Sequence, residues 1–420
     1  MSGSILDVVV VGGGYSGLCA SYYLKHFGLD HIVFERGKIG QSWESQRWDS
    51  FTMTTSNRLN AMPGSHYSVG NPEGFSLADE FITSLKLYAA KHQLPVSENS
   101  DVVRIEKEDP SPYFNVTVLH ENEERKYFCW RILVASGTFS EMKMPSFANL
   151  VLPHVEQLHA SAYRNPSQLQ SGAVLVVGSG QSGCQITEEL MEYERKVYLS
   201  TSPVPRIPRR YRGKDIMDWL IESKYFDIKV AEAADAATIS GKEPILSGVG
   251  EGGHTISLQA LARNGAVLLG SMEGADGSST FFSDNLSDHI RFADEFSNKA
   301  KSFIERYIAQ KRIVAPIHEE DNADFAGLTL PFDTPIKSLD LEKHNVNTII
   351  WATGFREKLD YIKFPTLDAE GRPRHQNGIG AVEGFYFLGF PWLRTRKSSY
   401  LFGIKDDAGF ICNEIYTTIR

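Results

Sequence analysis

A glycine-rich motif that occurs twice constrains this chain more than any other feature of its sequence. One copy of the pattern G-x-G-x-x-G follows the valine-rich run "LDVVVV" and is formed by Gly12, Gly14 and Gly17. The second copy follows "AVLVV" and is formed by Gly178, Gly180 and Gly183. A run of β-branched residues predicts a buried parallel strand, and such a turn between a strand and a helix is typical of a dinucleotide-binding unit. The sequence therefore predicts two of these units in one chain.

Each unit is predicted as a strand, a helix and a second strand. In the first unit these elements span residues 6–11, 15–27 and 31–34, and in the second they span 174–177, 182–193 and 196–199. The three glycines of each turn allow a sharp bend, close approach of the backbone to a pyrophosphate, and tight packing of helix on strand. The start of each helix offers free N–H groups and partial positive charge to the phosphates. These helix starts are formed by Tyr15 and Ser16, and by Gln181 and Ser182.

An acidic residue ends the second strand of the first unit. Glu35 stands where a carboxylate accepts hydrogen bonds from both ribose hydroxyls of a dinucleotide. A carboxylate in this position repels a 2′-phosphate, so the first site is predicted to bind FAD or NAD rather than NADP. The adjacent Arg36 belongs to the same predicted site.

The second unit has no acid in the equivalent place. Its second strand ends in "LSTS", and the basic stretch "PVPRIPRRYRG" follows; the residues predicted to face the nucleotide are Ser202, Arg206, Arg209 and Arg210. Hydroxyl and guanidinium groups suit a 2′-phosphate, because arginine pairs with phosphate through two hydrogen bonds. This predicts an NADPH site, although a solvated basic loop is the other interpretation of the arginines. NADPH donates a hydride to flavins, so the first site is expected to hold FAD.

The order of predicted elements gives an α/β fold with two Rossmann-like dinucleotide-binding domains. An FAD-binding domain is predicted over residues 1–150, an inserted NADPH-binding domain over 151–332, and a return segment of the FAD-binding domain over 333–420. Within the first domain we expect a helix at 76–92 with Ser76 as its N-cap. A small antiparallel meander is expected at 102–134, and a last helix at 408–419.

Composition excludes several classes of function. The 420 residues are enough for two domains, and the net charge of −9 does not favour nucleic acid or an anionic membrane. The four cysteines are scattered without a C-x-x-C pair, which argues against a disulfide framework, a zinc site and a redox dithiol. No apolar run is long enough for a membrane span, and no leader resembles a signal peptide. A soluble, cytoplasmic protein without a metal is expected.

Further motifs extend the pattern over nearly the whole chain. They are "ERGKIGQSWESQRWDSF" from Glu35, "HASAY" from His159, "PRRYRGKD" from Pro208, "WATGF" from Trp351 and "FYFLGFPWL" from Phe385. With the two glycine-rich turns, these motifs resemble the class B flavoprotein monooxygenases, which include flavin-containing monooxygenases, YUCCA-type enzymes, N-hydroxylases and Baeyer–Villiger enzymes. The chain looks like a compact, single-chain member of that group.

The resemblance implies further site residues. The segments along FAD are expected to include Gln41, Ser42, Trp43, Val103, Ala135, Ser136 and Gly137. Thr353, in the "ATG" segment that links the two domains, is expected at the NADPH site. Asn57 resembles an asparagine beside the flavin that helps to hold the peroxide, and a simple turn residue is its other interpretation.

The family's identifying motif is incomplete here. His159 and Tyr163 fit its second half, but Pro153 and Val155 stand where phenylalanine and glycine are usual. The Trp-Pro ending of Baeyer–Villiger enzymes is also absent, which disfavours that chemistry. His159 is therefore either a functional family residue or an ordinary linker histidine. Homodimers are common in the family.

The activity that the resemblance implies is that of an FAD-dependent, NADPH-consuming monooxygenase. It would form a C4a-(hydro)peroxyflavin and insert one oxygen atom into a small organic substrate, at a soft nitrogen or sulfur or at a carbonyl compound. A flavin-dependent NAD(P)H oxidase or dehydrogenase without oxygen insertion is the alternative. A disulfide reductase needs a redox dithiol, which this sequence lacks. A cofactor-sensing module without turnover is a further possibility.

Overall fold

The computed structural model describes residues 5–65, 70–107, 111–233, 245–249, 253–324 and 335–419. In these residues the strands are β1 (Leu6–Val11), β2 (His31–Phe34), β3 (Val96–Ser97), β4 (Ser100–Glu106), β5 (Phe114–His120), β6 (Glu123–Val134), β7 (Glu141–Met142), β8 (Glu156–His159), β9 (Ala173–Val177), β10 (Val197–Ser200), β11 (Arg210–Tyr211), β12 (Lys214–Asp215), β13 (Val267–Leu269), β14 (Met272–Asp276), β15 (Ser279–Phe282), β16 (Ser338–Asp340), β17 (Val346–Trp351), β18 (Phe355–Arg356), β19 (His375–Gln376), β20 (Ile379–Gly380) and β21 (Phe385–Phe387). The helices are α1 (Tyr15–His26), α2 (Gln41–Ser45), α3 (Ala78–Lys91), α4 (Gln181–Glu192), α5 (Ile216–Glu222), α6 (Leu258–Arg263), α7 (Leu286–Lys311) and α8 (Leu401–Ile419).

The first large sheet has the strand order β19-β20-β21-β6-β1-β2-β3. Its centre is β1, which runs parallel to both β2 and β6. Val8, Val9 and Val10 in β1 are fully buried, because helices and loops cover both faces of the sheet. Burial on both faces explains why this strand is continuously apolar instead of alternating. The predicted antiparallel meander is formed by β4, β5 and β6.

The second sheet has the order β13-β10-β9-β17-β8, and every neighbouring pair is parallel. In it β9 takes the place that β1 takes in the first sheet, and Val174, Leu175 and Val176 are fully buried. A small antiparallel sheet of β14, β15 and β16 lies beside it. Two parallel-sheet units, each with a glycine-rich turn at the carboxyl end of its central strand, confirm the predicted α/β class.

The predicted return to the first domain at residue 333 is wrong. Residue 333 itself lies outside the described residues, but β17 follows it and pairs with β8 and β9 of the second sheet. The chain therefore returns to the first domain only after Trp351. The two crossings between the domains, β7 and β18, pair antiparallel, with Met142 opposite Phe355.

Two predicted helix starts also differ from the structure. The last helix, α8, begins at Leu401 and not at the predicted residue 408. Asp407 is tolerated inside this helix because Arg394 donates a hydrogen bond of 3.2 Å to its buried carboxylate. Ser76 is not the N-cap of α3, which begins at Ala78. In the described part of the chain, no helix is both long and apolar enough to cross a membrane.

Candidate functional site

The first glycine-rich turn has the backbone geometry that close approach of a phosphate requires. Gly12 has a φ angle of +105°, and a Cβ atom added to it would lie 2.6 Å from the carbonyl oxygen of Ala135. A Cβ atom on Gly17 would collide with the carbonyl oxygen of Gly12, so α1 packs directly on the turn. Gly14 instead faces open space, with nothing within 4 Å of an added Cβ atom. The turn thus leaves room for a pyrophosphate at Gly14.

Helix α1 begins at this turn without a side-chain cap, so its first N–H groups remain available to an anion. Its first two residues, Tyr15 and Ser16, are buried. The Tyr15 hydroxyl donates to the carbonyl oxygen of Ala61 at 3.1 Å, and burial raises the pKa of Tyr15 well above its ordinary value. The phenol therefore stays neutral and cannot repel a phosphate. A Cβ atom on Gly389 would collide with the Ser16 hydroxyl, so the loop after β21 also closes on this helix start.

Glu35 lies against the same turn, immediately after β2. Its Oε2 accepts a hydrogen bond of 2.7 Å from the N–H of Gly13, and its Oε1 accepts one of 2.9 Å from the N–H of Gly37. This places a carboxylate beside the turn, where the ribose of a dinucleotide bound there would lie. Arg36 is exposed, and Val103 is 36% exposed on β4 at a break in the strand register.

The end of β6 forms the third wall of the first site. The carbonyl oxygen of Ala135 is the group that excludes a side chain at Gly12. Ser136 shares a hydrogen bond of 3.3 Å with the hydroxyl of Tyr361, a residue that the sequence did not single out. Gly137 has a φ angle of +74° and open space beside it. The chain therefore turns sharply at Gly137, with open space beside that residue.

The segment predicted to run along FAD begins at α2, where Gln41 and Trp43 are half-buried and Ser42 is exposed. Arg47, just after α2, is surrounded by rings. Its guanidinium carbon lies 4.9, 5.2 and 5.7 Å from the ring centres of Trp43, Phe51 and Phe139. Burial lowers the pKa of Arg47 to about 10, so the side chain stays charged at neutral pH.

The second glycine-rich turn repeats the geometry of the first. Gly178 has a φ angle of +108°, and an added Cβ atom would lie 2.5 Å from the carbonyl oxygen of Ala352. A Cβ atom on Gly183 would collide with the carbonyl oxygen of Gly178, and Gly180 faces open space. Ala352 follows β17 as Ala135 follows β6. At both turns, therefore, the carbonyl oxygen of the residue after a neighbouring parallel strand lies against the first glycine. Both turns fit a bound pyrophosphate.

Helix α4 begins at the second turn, and a separate segment of the chain crosses its start. The side-chain amide of Gln181 donates to the carbonyl oxygen of Ser247 at 2.8 Å and accepts from its N–H at 3.0 Å. Ser182, the next residue, is half-buried. Residues 245–249 therefore lie at the N-terminus of this helix, which the sequence did not predict.

At the end of β10 the structure shows hydroxyl groups where the first site has a carboxylate. Thr201 is buried, donates to the carbonyl oxygen of Leu269 at 2.7 Å and hydrogen-bonds to the ring of His289 at 2.9 Å. Ser202 is half-buried, and its N–H donates to the hydroxyl of Ser179 at 2.9 Å. Ser202 is thus the hydroxyl of this strand end that stays next to the second turn.

Two of the three predicted 2′-phosphate ligands are engaged elsewhere, which corrects that part of the prediction. Arg206 is 1% exposed and donates to the carboxylates of Asp294, at 2.6 Å, and Asp324. Arg209 is also 1% exposed and donates to Asp215 and to the carbonyl oxygen of Thr54. A buried guanidinium needs such partners, because an uncompensated charge in the interior is costly. Arg210 is the exposed member of the group.

Asn57 is buried in the loop that follows α2, and its side chain holds that loop. Its Nδ2 donates to the carbonyl oxygen of Asn71 at 2.8 Å. Its Oδ1 accepts from both the N–H of Ser76, at 3.0 Å, and the hydroxyl of Ser76, at 2.7 Å. These bonds do not support the expectation that the amide is directed at a flavin, and they tie Ser76 to Asn57, one residue before Leu77 at the N-cap position of α3.

His159 joins the two crossings between the domains. Its Nδ1 accepts from the N–H of Ser161 at 3.2 Å, so Nε2 carries the proton and donates to the carbonyl oxygen of Gly354 at 3.0 Å. The ring also packs edge-on against Phe355, 4.9 Å between centres. Burial lowers the pKa of His159, which keeps it neutral at pH 7. The structure therefore gives His159 a positioning role at the strand end that contains Thr353.

A cleft of about 470 Å³ opens beside Thr353. Its lining residues are Met142, Lys143, Met144, Pro145, Thr353 and Arg356. The side chains of Met142 and Met144 are 52% and 46% exposed, and the neighbouring Phe139 is 53% exposed. Lys143 and Arg356 also line this cleft, so it is open and mixed in polarity where the two sheets are connected.

The cysteines form no redox centre. All four are free and buried, and burial raises the pKa of every one of these thiols. Because the thiolate is the reactive form, buried thiols of raised pKa are poor nucleophiles. The arrangement of the four cysteines therefore does not support dithiol chemistry.

A protein-family model described as pyridine nucleotide-disulphide oxidoreductase matches residues 9–241. The chain belongs to this family of oxidoreductases. It is 31% identical over 414 residues, 98% of both chains, to an uncharacterised CzcO-like oxidoreductase of Geobacillus kaustophilus. Over 222 residues, 50% of this chain and 52% of the relative, it is 27% identical to a probable indole-3-pyruvate monooxygenase, YUCCA9, of Arabidopsis thaliana. The predicted resemblance to YUCCA-type proteins is thereby confirmed.

Solved structures share the fold over the whole chain. A flavin-containing monooxygenase from Stenotrophomonas maltophilia matches with a TM-score of 0.66 and 19% identity, covering 100% of both chains. An ornithine N-hydroxylase from Kutzneria sp. 744, solved with reduced FAD, NADP⁺ and L-ornithine, matches with a TM-score of 0.63 and 17% identity. That match covers 99% of this chain and 100% of the other. At these identities the likeness shows the fold.

Proposed function

We propose that this protein is an FAD-dependent monooxygenase that consumes NADPH and O₂ and inserts one oxygen atom into a small organic substrate. The observation that carries the proposal is the pair of matched turns, one with the carboxylate of Glu35 beside it and one with hydroxyl groups instead. The first suits the free ribose of FAD and the second suits a pyridine nucleotide. The N-hydroxylase of the same fold, solved with reduced FAD and NADP⁺, supports this assignment.

The residues of this chain bind and position the cofactors. Bound FAD supplies the redox chemistry, accepting a hydride from NADPH and activating oxygen once reduced. The N–H groups at the start of α1 hold its pyrophosphate, and Glu35 holds its ribose. The start of α4 does the same for the nucleotide at Gly180. His159 fixes the crossing at Gly354, the residue that follows Thr353.

The finer chemical steps belong to the same proposal. A C4a-(hydro)peroxyflavin, the species implied by such an activity, would require that water be kept away from the bound flavin. Oxygen transfer to a soft nitrogen or sulfur, or to a carbonyl compound, follows from such a species. We assign Asn57 to positioning, because its amide holds the loop of residues 70–76 that follows the segment along FAD.

The proposal also divides the chain into domains. We assign FAD binding to the sheet that contains β1 and β6, and to the C-terminal return segment that begins after Trp351. The intervening part, which contains β9 and β17, is assigned to NADPH binding.

Stopped-flow absorbance spectroscopy tests the proposed activity. The FAD-loaded protein, reduced with NADPH without oxygen, is mixed with oxygenated buffer, first alone and then with trial amines, sulfides and ketones. A transient flavin–oxygen adduct before oxidised flavin returns, with an oxygenated product from one trial class, is the expected result. Direct return of oxidised flavin in every mixture, with one peroxide released per flavin, would instead identify the oxidase or dehydrogenase. The Gly12→Ala protein, expected to lack FAD, serves as the blank.

A further inference from the structure

The two dinucleotide sites can be compared position by position, because their strand registers match. In the first sheet Val11 pairs with Phe34, and in the second Val177 pairs with Ser200. The next residue of each second strand is therefore equivalent, which places Thr201 where the first site has Glu35. This position decides how a dinucleotide site treats the 2′ substituent of the adenosine ribose.

Thr201 does not replace Glu35 in function. Its hydroxyl is turned into the protein, where it donates to the carbonyl oxygen of Leu269 and contacts His289. The adjacent Ser202 forms a reciprocal pair with Ser179 of the turn. The N–H of Ser202 donates to the Ser179 hydroxyl at 2.9 Å, and that hydroxyl donates to the carbonyl oxygen of Ser202 at 3.2 Å. The two hydroxyl oxygens are 3.4 Å apart.

Among the described residues, no arginine hydrogen-bonds to the hydroxyl groups of Ser179 and Ser202. Arg206 and Arg209 are almost fully buried and bonded to aspartates. Arg210 is exposed, but its guanidinium donates to the carbonyl oxygen of Gly213 at 3.0 Å, within the hairpin of β11 and β12. In the described ranges, the hydrogen bonds of Ser202 go to Ser179 and none goes to a carboxylate or guanidinium.

We propose that Ser202 is the residue that sets nucleotide specificity, and that the second site accepts NADH as well as NADPH. A serine hydroxyl is both a donor and an acceptor, so it can hydrogen-bond to a 2′-hydroxyl and to a 2′-phosphate. A carboxylate at this place would repel the phosphate, and an arginine would select it through two charge-assisted hydrogen bonds. Among the described residues neither group bonds to the hydroxyl pair of Ser179 and Ser202, so these residues alone do not enforce a choice.

The test measures reduction of bound FAD by each nucleotide without oxygen. The inference rests on the proposed function only in that the second turn binds a pyridine nucleotide, and this measurement needs neither O₂ nor an organic substrate. The ratio of kcat/KM for NADPH to that for NADH is expected to lie below about thirty, since one arginine–phosphate pair contributes on the order of 10- to 100-fold. A larger ratio overturns the inference. If neither nucleotide reduces the bound FAD, the proposed function is overturned as well. If NADPH alone reduces it, only this inference is overturned.

Two variants of Ser202 make the assignment specific. Ser202→Arg is expected to raise the preference for NADPH about tenfold or more, and Ser202→Asp is expected to shift the preference towards NADH by a similar factor. Ser302→Arg, an exposed serine on α7, is the control for added charge and is expected to leave the ratio unchanged. If neither Ser202 variant changes the ratio, Ser202 does not face the 2′ position. Retained FAD absorbance in each variant confirms that the protein has folded.

Discussion

At the scale of single residues, Glu35 determines what the first turn can hold. Glu35→Ala removes the acceptor for ribose hydroxyls, so FAD binding is expected to weaken by about 10- to 100-fold, the usual contribution of hydrogen bonds to a charged group. The Kd of FAD, measured by flavin fluorescence on the apoprotein, checks this. The matched control is Glu124→Ala, an exposed glutamate at the far end of β6, which is expected to bind FAD normally. Equal Kd values for all three proteins would remove Glu35 from the site.

Arg206 is expected to act on stability and not on nucleotide choice. Arg206→Ala leaves Asp294 and Asp324 without their shared cation, which is expected to lower the free energy of unfolding by about 3–5 kcal/mol. Denaturant unfolding at pH 7 measures the loss. A variant with wild-type stability in which KM rises far more for NADPH than for NADH would restore the phosphate-binding role predicted from the sequence.

The pH dependence of this ion pair has a definite sign. Burial raises the pKa of Asp324, but Arg206 and Lys301 outweigh burial and hold this pKa below its ordinary value. A carboxylate with a depressed pKa stabilises the fold above its unfolded pKa of about 3.9, and this contribution disappears as pH falls through the folded pKa. The stability difference between wild type and Arg206→Ala is therefore expected to narrow below about pH 4. If the difference in unfolding free energy between wild type and Arg206→Ala stays constant, at about 3–5 kcal/mol, from about pH 3 to about pH 7, the ion pair is not the cause of that difference.

At the scale of elements, the first glycine of each turn provides a matched pair of tests. Gly12→Ala and Gly178→Ala each place a Cβ atom within 2.6 Å of a carbonyl oxygen at a φ angle near +105°. Gly12→Ala is expected to purify without yellow colour, whereas Gly178→Ala is expected to stay yellow but to be reduced far more slowly by NADPH. Absorbance spectra and anaerobic reduction rates measure both effects.

The control for these substitutions separates the strain of a positive φ angle from the contact that the added Cβ atom makes with a carbonyl oxygen. Gly265 has a φ angle of +111° but open space around an added Cβ atom. Gly265→Ala is expected to cost about 1–2 kcal/mol of stability while binding both cofactors. If Gly265→Ala loses a cofactor as completely as the turn variants do, backbone strain and not the pyrophosphate site explains their effect.

The elements around the turns could be predicted closely from the sequence. The strand at 6–11 and the strand at 31–34 are found as expected, because a β-branched run and a glycine-rich turn are local signals. The start of α8 could not be found in this way. Asp407 reads as a surface residue in the sequence, but in the structure it is buried in the helix and accepts a hydrogen bond from Arg394. Ser76 likewise looks like an N-cap until Asn57 takes its hydroxyl.

At the scale of the whole molecule, the burial of every cysteine gives a simple test of the architecture and the chemistry. A thiol reagent such as Ellman's is expected to modify none of the four cysteines in the native protein. All four are expected to react in denaturant. Rapid reaction of two thiols in the native state, together with reduction of a disulfide substrate by NADPH, would support disulfide reductase activity instead.

Long-range pairing explains why the remaining predictions failed. The partners of Arg206 lie 88 and 118 residues away along the chain, so the sequence showed a basic loop and not a buried ion network. The boundary at residue 333 failed for the same reason, since nothing local to β17 indicates which of two parallel sheets it joins. Similar geometry at both turns could be predicted, but the partners of the side chains around them could not.

The pairing of β7 with β18 brings the two crossings between the sheets to one place. Met142 and Phe355 lie side by side, so both ends of the inserted domain leave the first domain at one place. Domains inserted between neighbouring ends tolerate exchange and circular permutation, because the host fold keeps its own strand order when the insert is replaced. Joining residue 142 to residue 355 through a short linker would therefore keep the strand order of the first sheet. A domain grafted at this junction would also have to cover Val8, Val10 and Leu133, which share one apolar cluster with the second sheet.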